Sequence, residues 1–163
     1  VTALDEDERP ETQAVDLEAT LETELEKQRS AHPTATITVA EDPPAVAVRA
    51  NEMLGAVFRN LVSNAIENVD HEEPTVTVTV TEREDSAVVR VADDGPGIPD
   101  DRKDRVFGKG EKGIDSAGTG IGLFLVKTLV EQFDGQVWIE DNEPRGSVFV
   151  VELPLAATAP TAE

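Results

Sequence analysis

The chain of 163 residues has no cysteine and no tyrosine, one methionine and one tryptophan. Without cysteine there can be no disulfide framework and no thiolate metal site. His32 and His71 are the only histidines, and neither has an obvious ligand partner nearby, so an imidazole metal centre has no support. No apolar run approaches the roughly 18 residues of a membrane span, and no leader pattern opens the chain. Val1 stands where an initiating methionine would, which leads us to expect a piece of a longer protein. There is no internal repeat, and the length suits one domain with a full core.

Positive charge is also scarce. Lysine and arginine number 14 against 34 acidic residues, for a net charge of -20. Such a potential repels nucleic acid and anionic membrane surfaces, so neither is an expected partner. It repels nucleotides too, so any nucleotide site must carry local compensation. Apolar residues still make up 39%, an ordinary globular share, which places the acid on the surface of a folded domain. Few lysines and many Asp, Thr and Val resemble the composition of proteins from salt-accumulating halophilic archaea. There, multimolar salt shortens the screening length to roughly 3 Å or less and makes the self-repulsion tolerable.

Local patterns organise the chain. Residues 1–15 read as a linker from an absent upstream domain, 16–155 as the folded domain and 156–163 as a flexible tail. Asp16 is a candidate N-cap for a helix to Arg29, with Leu17, Leu21 and Leu25 on one face. Short strands over 35–40 and 45–50 flank the turn 41–44, and the spacing predicts a hairpin. Asn51 is expected to cap a helix reaching Val69. Thr75 to Thr81 and Ala87 to Ala92 read as a second hairpin. A long polar loop over 100–117 has the character of a lid. A helix follows over 120–133 with Gly135 as expected C-cap, then a third hairpin from Gln136 to Leu153. Antiparallel pairs with helices on one face give an α/β two-layer sandwich of five to six strands and three helices.

Three segments carry candidate chemistry. Along the helix from Asn51, the residues Asn60, Asn64 and Asn68 recur every four positions, on the border of an apolar face. Asparagine is a poor helix former, so the stripe costs local stability. It is either a solvated border or a source of amide oxygens for Mg²⁺, which prefers hard oxygen ligands shared with phosphates. In Asp93-Asp94-Gly95-Pro96-Gly97-Ile98 a carboxylate ends an apolar strand where it can accept from an exocyclic amine, and Gly95 and Gly97 permit close backbone approach. Taken alone, the same residues are also an ordinary turn. Gly118-Thr119-Gly120-Ile121-Gly122-Leu123 opens an apolar helix whose first N–H groups make an anion site, and Lys109 and Lys112 stand just upstream. A lone Gly-x-Gly-x-Gly is weak.

Together, in this order, these segments resemble the ATP-binding catalytic domain of sensor histidine kinases, in the GHKL superfamily with its Bergerat-type fold. Residues 58–65 match the asparagine box, Asp93 to Ile98 the first glycine box, Val106-Phe107-Gly108-Lys109 the phenylalanine box and Gly118 to Leu123 the second glycine box. The resemblance implies ATP and Mg²⁺ as ligands, with Asn64 on the metal, Asn60 near the phosphates and Asp93 on adenine. It implies Gly95, Gly97, Ile98, Phe107, Lys109, Lys112, Gly118, Thr119, Gly120, Ile121, Gly122 and Leu123 around the nucleotide under a mobile lid. Asn60, Asn64 and Lys112 are the expected catalytic residues. The expected partners are a histidine-bearing dimerisation domain of the full-length protein, through which it would dimerise, and a downstream response regulator. A cytoplasmic domain is implied, with membrane attachment of the whole protein left open.

Departures from the family pattern are Glu67, where Lys or Arg is usual, Asn68, where an aromatic or His is usual, and Gly108-Lys109-Gly110 in the phenylalanine box. Neither His32 nor His71 has the surroundings of a phosphoacceptor. ATP-hydrolysing relatives and anti-sigma serine kinases carry Glu where Asn60 stands, and a neutral amide cannot act as that base. Phosphoryl transfer to histidine is therefore the expected activity. A nucleotide-binding regulatory module and an anti-sigma-type serine kinase are the alternatives.

Overall fold

Valine at every second position builds the sheet, and its parity sets which side chains face the helices. A computed structural model describes residues 12–40, 44–67, 69, 72–103, 107, 121–143 and 145–156. The elements in chain order are β1 (Gln13–Asp16), α1 (Leu17–Ala31), β2 (Thr36–Val39), β3 (Ala47–Ala50), α2 (Leu54–Glu67), β4 (Thr75–Glu82), β5 (Ser86–Asp93), the one-turn α3 (Asp100–Lys103), α4 (Ile121–Gln132), β6 (Gln136–Asp141) and β7 (Ser147–Pro154). Five strands make one mixed sheet in the order β2-β4-β5-β7-β6, and β1 pairs with β3 beside it. The long helices α1, α2 and α4 form the second layer, with α2 between the other two and packed on β4 and β5. This is the expected α/β sandwich. Among the described residues no helix is long and apolar enough to cross a membrane.

Val76, Val78 and Val80 of β4, Val89 and Val91 of β5, and Phe149, Val151 and Leu153 of β7 join one core with α2's Val57, Phe58, Leu61 and Ala65. Side chains alternate faces along a strand. Two residues beyond Val91, Asp93 therefore lies on the core face, and it is 1% exposed. The opposite face carries a smaller cluster of Val88, Val148 and Val150 with Trp138 against it.

Several boundaries and pairings depart from the sequence reading. Residues 36–39 and 47–50 do not form a hairpin with each other. β2 runs parallel to β4, and β3 is antiparallel to β1. Four-residue strands joined through Pro43-Pro44, which offer no N–H, gain little from each other. The apolar edge of β4 is the better partner for β2. Gln13 to Val15, placed in the linker by sequence, belong to β1. At the other end Ala156 is buried and donates to Ala47 O at 3.0 Å, so it belongs to the fold and not to the tail.

Asp16 caps α1 as expected, its Oδ1 accepting from Ala19 N at 3.0 Å. Asn51 does not cap α2 directly. Its Oδ1 accepts from Met53 N at 2.8 Å, forming an Asx-turn, and the helix starts at Leu54. At the end of α4 the left-handed residue is Asp134 (φ 66°), not Gly135. Asp134 N bonds Glu131 O and Gly135 N bonds Val130 O, the two bonds of a Schellman motif. Gly135 is needed for another reason: a Cβ there would stand 2.3 Å from Glu152 O.

Candidate nucleotide site

Asp93 is the centre of the site. Its Oδ1 accepts from Gly95 N at 2.9 Å and from Ser147 N at 3.2 Å. Its Oδ2 is buried and has no hydrogen-bond partner. One oxygen thus fixes the carboxylate while the other is left to accept a donor. The neighbouring Asp94 has a structural role, its Oδ1 accepting from Thr75 N at 3.1 Å to hold the start of β4.

Burial pushes the Asp93 carboxyl above its ordinary 3.8, and Asp94 adds to the rise; the Gly95 and Ser147 amides, and then Arg145, pull the other way. A raised native pKa favours the protonated form in the fold. Its stabilising contribution is complete below the unfolded value and is lost as pH rises through the native value. We therefore expect the stability of the wild type relative to Asp93→Asn to fall as pH is raised from below 3.8, in paired chemical denaturations. A difference that stays flat across this range would mean that the carboxyl ionises equally in both states.

The loop between β6 and β7 holds Asp93 in place, and sequence reasoning missed it. Asn142 Nδ2 donates to Asp93 O at 2.8 Å, and Arg145 Nε donates to Gly95 O at 2.9 Å. Gly146 has φ 112°, and a Cβ on it would lie 1.9 Å from Asp93 O. Ser147 Oγ is buried without a partner, as Asp93 Oδ2 is. The signal available in sequence was the pair Gly146-Ser147 at the start of a buried strand, which reads only as a hairpin end. Gly97 (φ 89°) faces Gly146 across this contact, where a Cβ would lie 3.4 Å from Gly146 O.

On α2, Asn60 and Asn64 are both half-buried. Asn60 Nδ2 donates to Ala56 O at 2.7 Å along its own helix. Its Oδ1 points at the first turn of α4, where a Cβ on Gly122 would be 2.9 Å away. The asparagine box and the second glycine box therefore touch. Asn64 Oδ1 is buried with no partner. An orphaned amide oxygen is costly unless something binds it, and a hard oxygen donor suits Mg²⁺. Glu67 turns back along the helix to Ser63, with Oγ to Oε2 at 3.4 Å.

Ile98, Phe107 and Leu123 are buried in the main core. Phe107 meets Phe149 edge to face, with ring centroids 6.4 Å apart. On α3, Lys103 bonds Asp100 and, at 2.8 Å, Asp141 Oδ1, tying this short helix to the end of β6. Ile121 opens α4. Lys109, Lys112, Gly118, Thr119 and Gly120 lie outside the described residues, as do Asn68 and His71. His32 sits at the C-cap of α1.

A family model described as histidine kinase-, DNA gyrase B-, and HSP90-like ATPase matches residues 50–157. The chain is 36% identical over 110 residues to the adaptive-response sensory kinase SasA of Gloeothece citriformis, covering 64% of this chain and 27% of that protein. It is 33% identical over 133 residues to the phytochrome-like protein Cph1 of Synechocystis, covering 79% of this chain and 17% of that protein. It thus spans about a quarter or less of the length of these relatives. Among solved structures, the catalytic domain of the histidine kinase ThkA, nucleotide-free, superposes with a TM-score of 0.77 at 26% identity, covering 88% of this chain and 95% of that one. Full-length ShkA in complex with AMPPNP gives a TM-score of 0.75 at 28% identity, covering 89% of this chain and 31% of that one.

Proposed function

We propose, for a chain that belongs to the histidine kinase-, DNA gyrase B-, and HSP90-like ATPase family, that it binds MgATP and transfers the γ-phosphoryl group to a histidine on a separate dimerisation domain. The observation that carries this reading is the state of Asp93: a buried carboxylate with one oxygen engaged by two backbone amides and the other unpartnered. That oxygen would accept the adenine 6-amino group, and the bond would draw the carboxyl toward its ionised form.

Asn64 Oδ1 would hold Mg²⁺, which when bound neutralises charge on the phosphate oxygens. The first N–H groups of α4 lack intrahelical partners and would receive phosphate oxygens. Lys109 and Lys112 would add the positive charge that the acidic surface withholds. Asn60, neutral and bonded to Ala56 O, orients the phosphates and removes no proton. Catalysis by this chain is thus positioning and charge neutralisation. A response regulator would receive the phosphoryl group next, and the acidic surface would make the fold salt-dependent. Thermal stability that does not rise with KCl would remove that last reading.

An acceptor domain supplied in trans with MgATP is the direct test, read as acid-labile phosphohistidine. Nucleotide binding without label would favour the regulatory module. That second reading has one observation behind it: Glu67, which bonds Ser63 along its own helix, puts an acid where the family usually has a cation. For the metal, Asn64→Leu should leave the nucleotide-free fold at least as stable, because an unsatisfied buried acceptor is gone. It should also reduce nucleotide affinity in Mg²⁺ to the level the wild type shows in EDTA. An Mg²⁺ effect of unchanged size in the variant would take the metal away from Asn64.

A further inference from the structure

A cleft lies at the N-terminal end of α2, away from Asn60 and Asn64. It has a volume of about 490 Å³ and is walled by β1, the first turns of α1 and the residues that lead into α2. Its charged lining is wholly acidic: Asp16, Glu24 and Glu52. Glu24 is 6% exposed, and its Oε1 is buried with no hydrogen-bond partner. Its Oε2 is pressed against Gly55, where a Cβ would stand 2.6 Å away, so the missing side chain at Gly55 makes the space for the carboxylate. Lys27 reaches only Oε2, at 3.6 Å, and is largely exposed. Val15, Ala19 and Leu54 supply apolar wall.

We infer that this cleft binds an organic cation, an alkylguanidinium or alkylammonium group, with the charged end on Glu24 and the alkyl stem along the apolar wall. A buried carboxylate oxygen without a partner calls for a donor, and a charge-assisted bond is the strong way to satisfy it. The cleft is too large for a bare ion, and among the described residues no three His, Cys, Asp or Glu side chains are grouped to hold a metal. The long-range field of a -20 chain concentrates cations of any kind, and the cleft selects among them by shape. The source is either a small polyamine-like molecule or a basic side chain of another protein segment, and the chemistry is shared.

Agmatine, and separately an N-acetylated, C-amidated Gly-Arg-Gly peptide, are titrated into the whole chain by calorimetry, with MgATP affinity measured in parallel. Saturable binding of at least one probe is expected. Glu24→Gln, nearly isosteric, should weaken it by about tenfold or more, and Lys27→Ala should strengthen it several-fold by removing the internal competitor. MgATP affinity should be the same in both variants. Tighter peptide binding assigns the source to a protein segment, and tighter agmatine binding to a free cation. No saturable binding to the folded wild type, or equal binding by Glu24→Gln, overturns the proposal. Should Glu24→Gln fail to fold, Lys27→Ala decides, since its exposed side chain is dispensable and an unchanged affinity there also counts against the site.

Discussion

Asp93→Asn should weaken nucleotide binding by about a hundredfold or more while the fold persists. The amide can place its carbonyl oxygen where Oδ1 accepts from Gly95 N and Ser147 N, so the local backbone keeps both bonds. Its NH₂ group then occupies the position of the unpartnered Oδ2. In the proposed binding mode a donor would then face the donor of adenine, and a site built to receive a hydrogen bond rejects a ligand that cannot be paired. Two desolvated donors face to face cost about 3 kcal/mol, a little over two decades in affinity. The substitution also removes a buried charge disfavoured by desolvation, so the unliganded variant should be no less stable at neutral pH. Calorimetric titration with a non-hydrolysable ATP analogue and Mg²⁺, beside circular dichroism, measures both. Affinity within threefold of wild type would remove Asp93 from the adenine contact.

Gly146→Ala should be the most destabilising single methyl in the site. The residue has φ 112°, where a side chain is strained, and the new Cβ would stand 1.9 Å from Asp93 O and 3.1 Å from Asp93 Oδ1. The nearest atom is backbone, so no rotamer change relieves the collision. Strain plus overpacking amounts to on the order of 3–5 kcal/mol, a large part of a domain's stability. Relaxation has to separate the β6–β7 loop from the turn after β5, which breaks the bond from Asn142 to Asp93 O and moves the carboxylate. Gly135→Ala is the control. It meets Glu152 O at 2.3 Å, far along β7 from Asp93, and should destabilise without weakening nucleotide binding by the folded fraction. Urea denaturation gives the stabilities. A Gly146→Ala protein as stable as wild type would mean that the loop does not hold the Asp93 turn.

Much of the site was readable because it rests on local rules. The period-two run through Val89 and Val91 puts Asp93 on the core face, and the four-residue spacing puts Asn60 and Asn64 on one border of α2. Asp16 caps its helix with the geometry its residue type favours. The support of Asp93 was not readable. Ser147, Gly146 and Asn142 arrive about fifty residues later, and nothing local in them signals a carboxylate. The contact between Gly122 and Asn60 has the same character, since glycine at a helix start reads equally well as a hinge or a phosphate seat. The failed hairpin over 35–50 shows that strand pattern sets which face is apolar but not which strand is the partner.

By itself, then, the sequence determined the acidic surface, most of the longer elements, the inward parity of their side chains and the order of the nucleotide motifs. Each depends on residue type and spacing along one segment. Tertiary structure alone decided that β2 lies parallel to β4, that the loop before β7 grips the Asp93 turn, and that Asp93 Oδ2, Asn64 Oδ1 and Glu24 Oε1 are left without partners. Whether a buried polar atom is satisfied depends on every segment packed around it, and chain-local periodicity carries no record of those neighbours.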